Sequence, residues 1–166
     1  MRDEWYAGLA LADQLLTSDP KCAGLFGYVG WYGNDSPEPL AVLSQISNSY
    51  SFGPINSSAG TVTSATTTGT GSTFIPAGAG EIQVNTSVTI KLNNTTNGAS
   101  FVTPNNVYNW AITILHELGH AYWDLYGPGT SLIQSDNVAT NTNAQNLQLS
   151  QANTALVQQD CPPPGN

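Results

Sequence analysis

The chain has 166 residues, 40% of them hydrophobic but only 8% charged, with three Lys or Arg against eleven Asp or Glu and a net charge of −8. That length suits a single domain with its own core, and a charged fraction far below the usual quarter or so leaves a surface of Ser, Thr, Asn and Gly. The lack of a basic footprint excludes nucleic acid as a partner and disfavours an anionic membrane surface, and no apolar run is long enough to span a bilayer.

Residues 3–16 carry Trp5, Leu9, Ala12, Leu15 and Leu16 at helical spacing, and Ser18-Asp19-Pro20 ends this first helix. The opening Met1-Arg2-Asp3-Glu4-Trp5 lacks the basic, apolar, small-residue order of a signal peptide. A signal or parent region is therefore expected outside this sequence. Residues 22–32 are rich in glycine and aromatics (Phe26, Tyr28, Trp31, Tyr32) and read as a strand followed by a turn at Gly33-Asn34-Asp35. A short helix is expected over 39–46, where Leu40, Leu43 and Ile46 share a face.

The texture changes over 47–100, where Thr, Ser, Gly and Asn dominate. Strand-like runs stand at 72–75, 81–85 and 87–92, and Ile82/Val84 and Val88/Ile90/Leu92 alternate with polar residues as in a half-buried sheet. The stretch 61–72 reads equally as low complexity or as β-rich surface loops. No internal repeat is evident.

Thr103-Pro104 then opens a long helix, with Thr103 as N-cap and Pro104 at the first helical position. Ala111, Ile114, Leu115, Leu118, Ala121, Tyr122 and Leu125 form its apolar stripe. Asn109, Thr113, His116, His120 and Asp124 form the opposite arc. Gly127-Pro128-Gly129 stops the helix. A polar, Asn/Gln-rich tail follows, helical over 150–159, and ends in Cys161 and three prolines. Cys22 and Cys161, near opposite ends, are expected to form one bridge if the protein is exported, as its lysine-poor surface suggests.

Inside the long helix stands His116-Glu117-Leu118-Gly119-His120, an HExxH pattern that uses both histidines of the chain. Residues four apart share a helix face, so His116 and His120 can grip one zinc ion from adjacent turns. Glu117, beside that face, is placed to act as general base toward a water activated by the metal. A catalytic zinc commonly takes three protein ligands. No histidine remains and no glutamate follows Glu117, so a downstream third ligand is Asp124, Asp136 or Asp160. Asp124 lies about 6 Å along the helix axis from His120 and about 12 Å from His116, a long reach for a short side chain; it suits the role of a partner orienting His120. Asp136 follows the Gly-Pro-Gly turn, which lets the chain reverse and present a carboxylate from a second element, and it is favoured. Asp160 reads as a solvated helix-end charge.

These residues resemble the zincin metallopeptidases, and among them the aspzincins, in which two HExxH histidines and a later aspartate bind zinc. The branches completed by a later glutamate, or by a third histidine and a Met-turn, do not fit, because Met1 is the only methionine. The resemblance implies His116, His120 and Asp136 as metal ligands, with Glu117 as base. Gly129-Thr130 precedes Asp136 as a Gly-Thr pair precedes the ligand in aspzincins, although the gap here is longer and no Tyr-Gly follows. The stretch 116–136 is also similar to metallopeptidase domains at the C-terminal end of large bacterial exported and Rhs-type proteins.

The expectation is thus an α+β, single zincin-like domain spanning 1–166. An N-terminal helix and β-rich part (1–102) carries a small, mostly antiparallel sheet, and an active-site helix and C-terminal helical part (103–166) completes it. Its expected function is zinc-dependent hydrolysis of a protein or peptide substrate by a secreted or cell-surface bacterial protein, monomeric or part of a larger chain, with neither nucleic acid nor membrane as partner. Tyr126, ahead of Tyr108 and Tyr122, is the expected donor to the oxyanion. In zincins an edge strand above the active-site helix holds extended substrate, and a hairpin over 81–92 is the expected source of that strand. The alternatives are a non-catalytic zinc-binding adhesion or interaction module, and a toxin-like effector peptidase with a single protein target.

Overall fold

The computed structural model describes residues 2–55, 65–93 and 106–165. Helix α1 (Arg2–Ser18) buries Trp5, Ala12, Leu15 and Leu16 of the stripe its spacing predicts and leaves Leu9 half-buried at the core's margin. It stops at Ser18 because Asp19 turns extended and caps a second, short helix, α2 (Pro20–Ala23), its side chain accepting from the Lys21 N–H at 2.9 Å. The strand expected over 22–32 does not form. Cys22 and Ala23 belong to α2, Gly27 takes a φ of 81° incompatible with a strand, and only an isolated bridge from Phe26 to Ser131 remains. Helix α3 (Pro39–Ile46) has the expected bounds, but it buries Pro39, Val42, Leu43 and Ile46 and leaves Leu40 exposed.

Strands β1 (Tyr50–Gly53), β2 (Ala65–Thr70) and β5 (Ser87–Asn93) form one sheet in the order β1-β5-β2, with β1 parallel and β2 antiparallel to β5. The central strand buries Val88, Ile90 and Leu92, and Phe52 and Tyr50 of β1 pack at the core's margin. Strands β3 (Thr73–Ala77) and β4 (Gly80–Val84) make a separate antiparallel hairpin. The hairpin expected over 81–92 is thus corrected: β4 pairs with β3, and β5 belongs to the other sheet. The chain reverses at Ala77-Gly78-Ala79-Gly80, where Gly78 supplies a φ of 55°. Asn85-Thr86 instead carries it across, the Asn85 N–H reaching Asp124 O at 2.8 Å and the Thr86 N–H reaching Thr70 O at 3.1 Å. The Thr-rich residues 65–70, read as low complexity or loop, form the edge strand β2, which suits their β-branched side chains.

Helix α4 (Asn106–Tyr126) buries every residue of its predicted stripe, from Ala111 to Leu125. The caps expected at Thr103 and Pro104 lie outside the described residues. The sheet, α1, α3 and the final helix α5 (Asn143–Asp160) all pack against α4. Helix α5 starts seven residues before the predicted 150, at a capping box between Thr142 and Gln145. Among the described residues no helix is long and apolar enough to cross a membrane. The architecture is α+β, five helices with small sheets of three and two strands among the described residues.

Cys22 of α2 and Cys161 at the end of α5 form a disulfide with a Cα–Cα distance of 4.6 Å and a sequence separation of 139. Both are fully buried. The bridge restrains an unfolded loop of nearly the whole chain, so replacing both cysteines by alanine should lower the unfolding free energy by about 2–5 kcal/mol in urea titrations. An unchanged midpoint would show that the bridge adds nothing to the fold.

Candidate metal centre

His116 and His120 stand on adjacent turns of α4 with their rings turned toward each other, Nε2 to Nε2 at 3.0 Å. Asp136 closes the group: its Oδ2 lies 3.1 Å from His116 Nε2 and its Oδ1 3.2 Å from His120 Nε2. Two imidazole nitrogens and a carboxylate therefore converge on one point, and these three residues can hold a metal ion. Bonds of about 2.0–2.1 Å to a tetrahedral ion place the ligand atoms roughly 3.3 Å apart, close to the spacing seen. His116 Nδ1 lies 3.0 Å from the Thr154 hydroxyl of α5. With Nδ1–H donating there, Nε2 keeps its lone pair for a metal, the outer hydrogen bond that ligating histidines need.

The charges agree with this convergence. Burial alone would lower the His120 pKa, but the hydrogen bond to Asp136 and the charges of Glu117, Asp136 and Asp124 raise it overall. Burial likewise works to raise Asp136, yet its hydrogen bonds and charge pairing with His116 and His120 hold it well below the usual carboxylate range. The aspartate is therefore ionised and ready to ligate at any physiological pH.

A loop from Gly127 to Asp136 brings the third carboxylate back along α4. The Thr130 hydroxyl lies 2.7 Å from Gly127 O and 3.1 Å from Tyr122 O, and the Ser131 hydroxyl lies 3.0 Å from Gly119 O. Ile133 is fully buried on Gly119, where an added Cβ would stand 2.2 Å from the Ile133 Cβ. From α5, the buried Asn153 holds the backbone of Gln134 at both ends. Its Oδ1 accepts from Gln134 N–H at 3.0 Å and its Nδ2 donates to Gln134 O at 2.7 Å. Asp136 follows two residues later.

Glu117 is 5% exposed and sits on the side of α4 covered by β2. The Thr67 hydroxyl donates to Glu117 Oε2 at 2.6 Å. Asp124 stays outside the metal-ligand group. Burial raises its pKa, opposed by the His120 charge and by a hydrogen bond from the Gly69 backbone, so it fastens β2 to α4. Asp160 ends α5 and is no part of the group either. Tyr126 is not brought to the centre: its hydroxyl donates to Gln45 Oε1 of α3 at 3.0 Å, and burial raises its pKa. Helical geometry explains this, because Tyr126 projects from α4 about 80° away from the direction of His116. Tyr122 donates to Pro37 O at 2.6 Å and Tyr108 to Cys161 O at 3.0 Å, so neither reaches the site.

Thr67, Asn153 and Thr154 are the participants that sequence reasoning missed. Asn153 and Thr154 fall within the helix expected over 150–159, but their polar surroundings do not single them out. Nothing in the sequence singles out Thr67 among its threonine neighbours.

Replacing Asp136 by Ala should weaken zinc binding by more than about 100-fold in a chelator-competition titration, beyond the 10–100-fold typical of an outer-shell partner. Asp124→Ala should stay within a few-fold of wild type, and the opposite order would reassign the third ligand. Gly119→Ala must displace Ile133 from backbone contact. It is expected to destabilise the fold by about 1–3 kcal/mol and to weaken zinc binding together with it; a variant with native affinity would show that the loop does not depend on this contact.

No protein-family model, curated protein or solved structure matches this chain.

Proposed function

We propose that this domain is a zinc-dependent endopeptidase. The observation that carries the reading is the placement of Glu117, a carboxylate one residue from a metal ligand yet outside the ligand set, with one oxygen held by Thr67. Two imidazoles and one carboxylate form a donor set suited to zinc, and a site with three protein ligands leaves a position open, whereas a structural zinc site normally closes with four. When bound, zinc polarises the scissile carbonyl and lowers the pKa of a water to near neutrality.

The residues of the chain supply the rest. Glu117 accepts the water's proton at the oxygen that Thr67 leaves free, then returns it to the leaving amine. Thr67 fixes the rotamer of that base, because a hydroxyl bonded to a carboxylate at 2.6 Å resists its rotation. Thr154 holds the tautomer of His116, and Asn153 the approach of Asp136.

Strand β2 is the reading's candidate for substrate pairing, in place of the 81–92 hairpin. Its Gly69 N–H turns to Asp124. Residues two apart on an antiparallel strand direct their N–H and C=O groups the same way, so those of Ala65 and Thr67 face the side away from β5. Among the described residues no strand pairs with that edge. Because Thr67 meets Glu117 and Gly69 meets Asp124, an extended peptide added there would run along α4 beside Glu117. The disulfide supports an oxidising, extracytoplasmic setting.

The zinc-loaded protein should hydrolyse casein or a peptide library, lose activity to a chelator and regain it with zinc. Glu117→Gln should still bind one zinc but lose about 10²–10⁴ in kcat. Thr67→Val, which removes a hydrogen bond to a charged group, should lose roughly 10–100-fold in kcat with zinc binding unchanged, and Thr67→Ser should recover most of it. Stoichiometric zinc without Glu117-dependent cleavage contradicts the peptidase reading.

A further inference from the structure

The two sides of α4 that flank the metal ligands are both occupied. Strand β2 covers Glu117 and Asp124, through Thr67 and Gly69. The returning loop covers Gly119 and Tyr122, through Ser131 and Thr130. The stripe left between them runs His116, His120, Trp123: Trp123 projects about 20° from His116 and about 60° from His120, so all three lie within one arc of about 60°. Trp123 is half-buried and stands about 4.5 Å along the axis beyond His120.

Trp31 completes a wall there. Its ring meets that of Trp123 edge-on, with centroids 5.2 Å apart and planes at 76°, yet the residue is 71% exposed. Its backbone N–H donates to Pro128 O at 2.9 Å, and the ring lies on Gly129, where a Cβ would stand 2.2 Å from Trp31 Cδ1. Trp31 is thus fixed to the start of the loop that ends in Asp136. A large aromatic ring anchored through its backbone, but left in water, is an apolar surface waiting to be covered. One residue of extended chain spans about 3.3 Å, and a tryptophan on a helix leans back toward its N-terminus, so a peptide running along α4 from the metal ligands would set a neighbouring side chain against this pair.

From this geometry we infer that Trp31 and Trp123 form a specificity pocket that selects a substrate residue with a large apolar side chain next to the scissile bond. The inference rests on the peptidase reading for its substrate, but it is tested by binding rather than by turnover. Two metal-chelating peptide hydroxamates, identical except for a benzyl or a methyl side chain beside the chelating group, are titrated calorimetrically into the zinc-loaded protein. The benzyl compound should bind about tenfold or more tightly, the discrimination an apolar pocket gives. Trp31→Ala should bring the ratio near one while leaving zinc stoichiometry and methyl-compound affinity unchanged; the exposed position of Trp31 spares the core. Trp123→Leu should act in the same direction. Equal binding of the two compounds by the wild type, an unchanged ratio in Trp31→Ala, or no hydroxamate binding at all overturns the pocket. Failure of the peptidase reading would show separately, as zinc-loaded protein that binds the benzyl compound preferentially but cleaves nothing.

Discussion

At Gly119 the loop that carries Asp136 lies against the backbone of α4, with Ile133 filling the space where a side chain would begin. The contact decides which carboxylate joins the two histidines. Asp124 shares a helix with both histidines, but the rise of that helix carries it away from the point where their Nε2 atoms meet. Asp136 reaches the point because the chain reverses at Gly127, φ 88°, and then runs back in contact with α4, held by Thr130 and Ser131 hydroxyls on helix carbonyls. A loop standing off by the thickness of one methyl group would carry its carboxylate away by a comparable distance, and metal bonds tolerate little of that.

The elements packed around α4 serve the same geometry. Helix α5 is polar and only weakly amphipathic, with Asn153 and Val157 its buried residues, so apolar burial alone does little to hold it. Its position is defined at the start by the Thr142–Gln145 capping box and at the end by the disulfide to α2 and the Tyr108 bond to Cys161 O. Between those anchors Asn153 and Thr154 meet Gln134 and His116. On the opposite flank, β2 is fastened by Thr67 on Glu117 and by Gly69 on Asp124. Glu117 and His116 are thus each held by a side chain from a different element, Thr67 of β2 and Thr154 of α5.

Much of this could be read from the sequence where one strong local signal acted alone. The apolar stripe of α4 and the i, i+4 spacing of His116 and His120 follow from helix periodicity, and reach favoured Asp136 over Asp124. The Pro39 start of α3 and the pairing of Cys22 with Cys161 were legible too. What escaped depended on packing between distant segments. Residues 65–70 have a composition that fits loop and strand equally, and only their partner β5 makes them an edge. Val84 and Val88 alternate as a hairpin would, yet the hydrogen bonds of Asn85 and Thr86 carry the chain from one sheet to the other. Tyr126 sits near the site in sequence but points to α3, because the turn of the helix outweighs proximity along the chain.

The account stands on a metal held by His116, His120 and Asp136 with Glu117 free beside it. Anomalous diffraction at the zinc absorption edge, from crystals of the zinc-loaded protein, tests it most directly. It predicts a single strong peak about 2.0–2.2 Å from both histidine Nε2 atoms and from an Asp136 oxygen, with Glu117 outside bonding distance. A peak ligated by Asp124 or Glu117 in place of Asp136, or no peak between the two histidines, would contradict it.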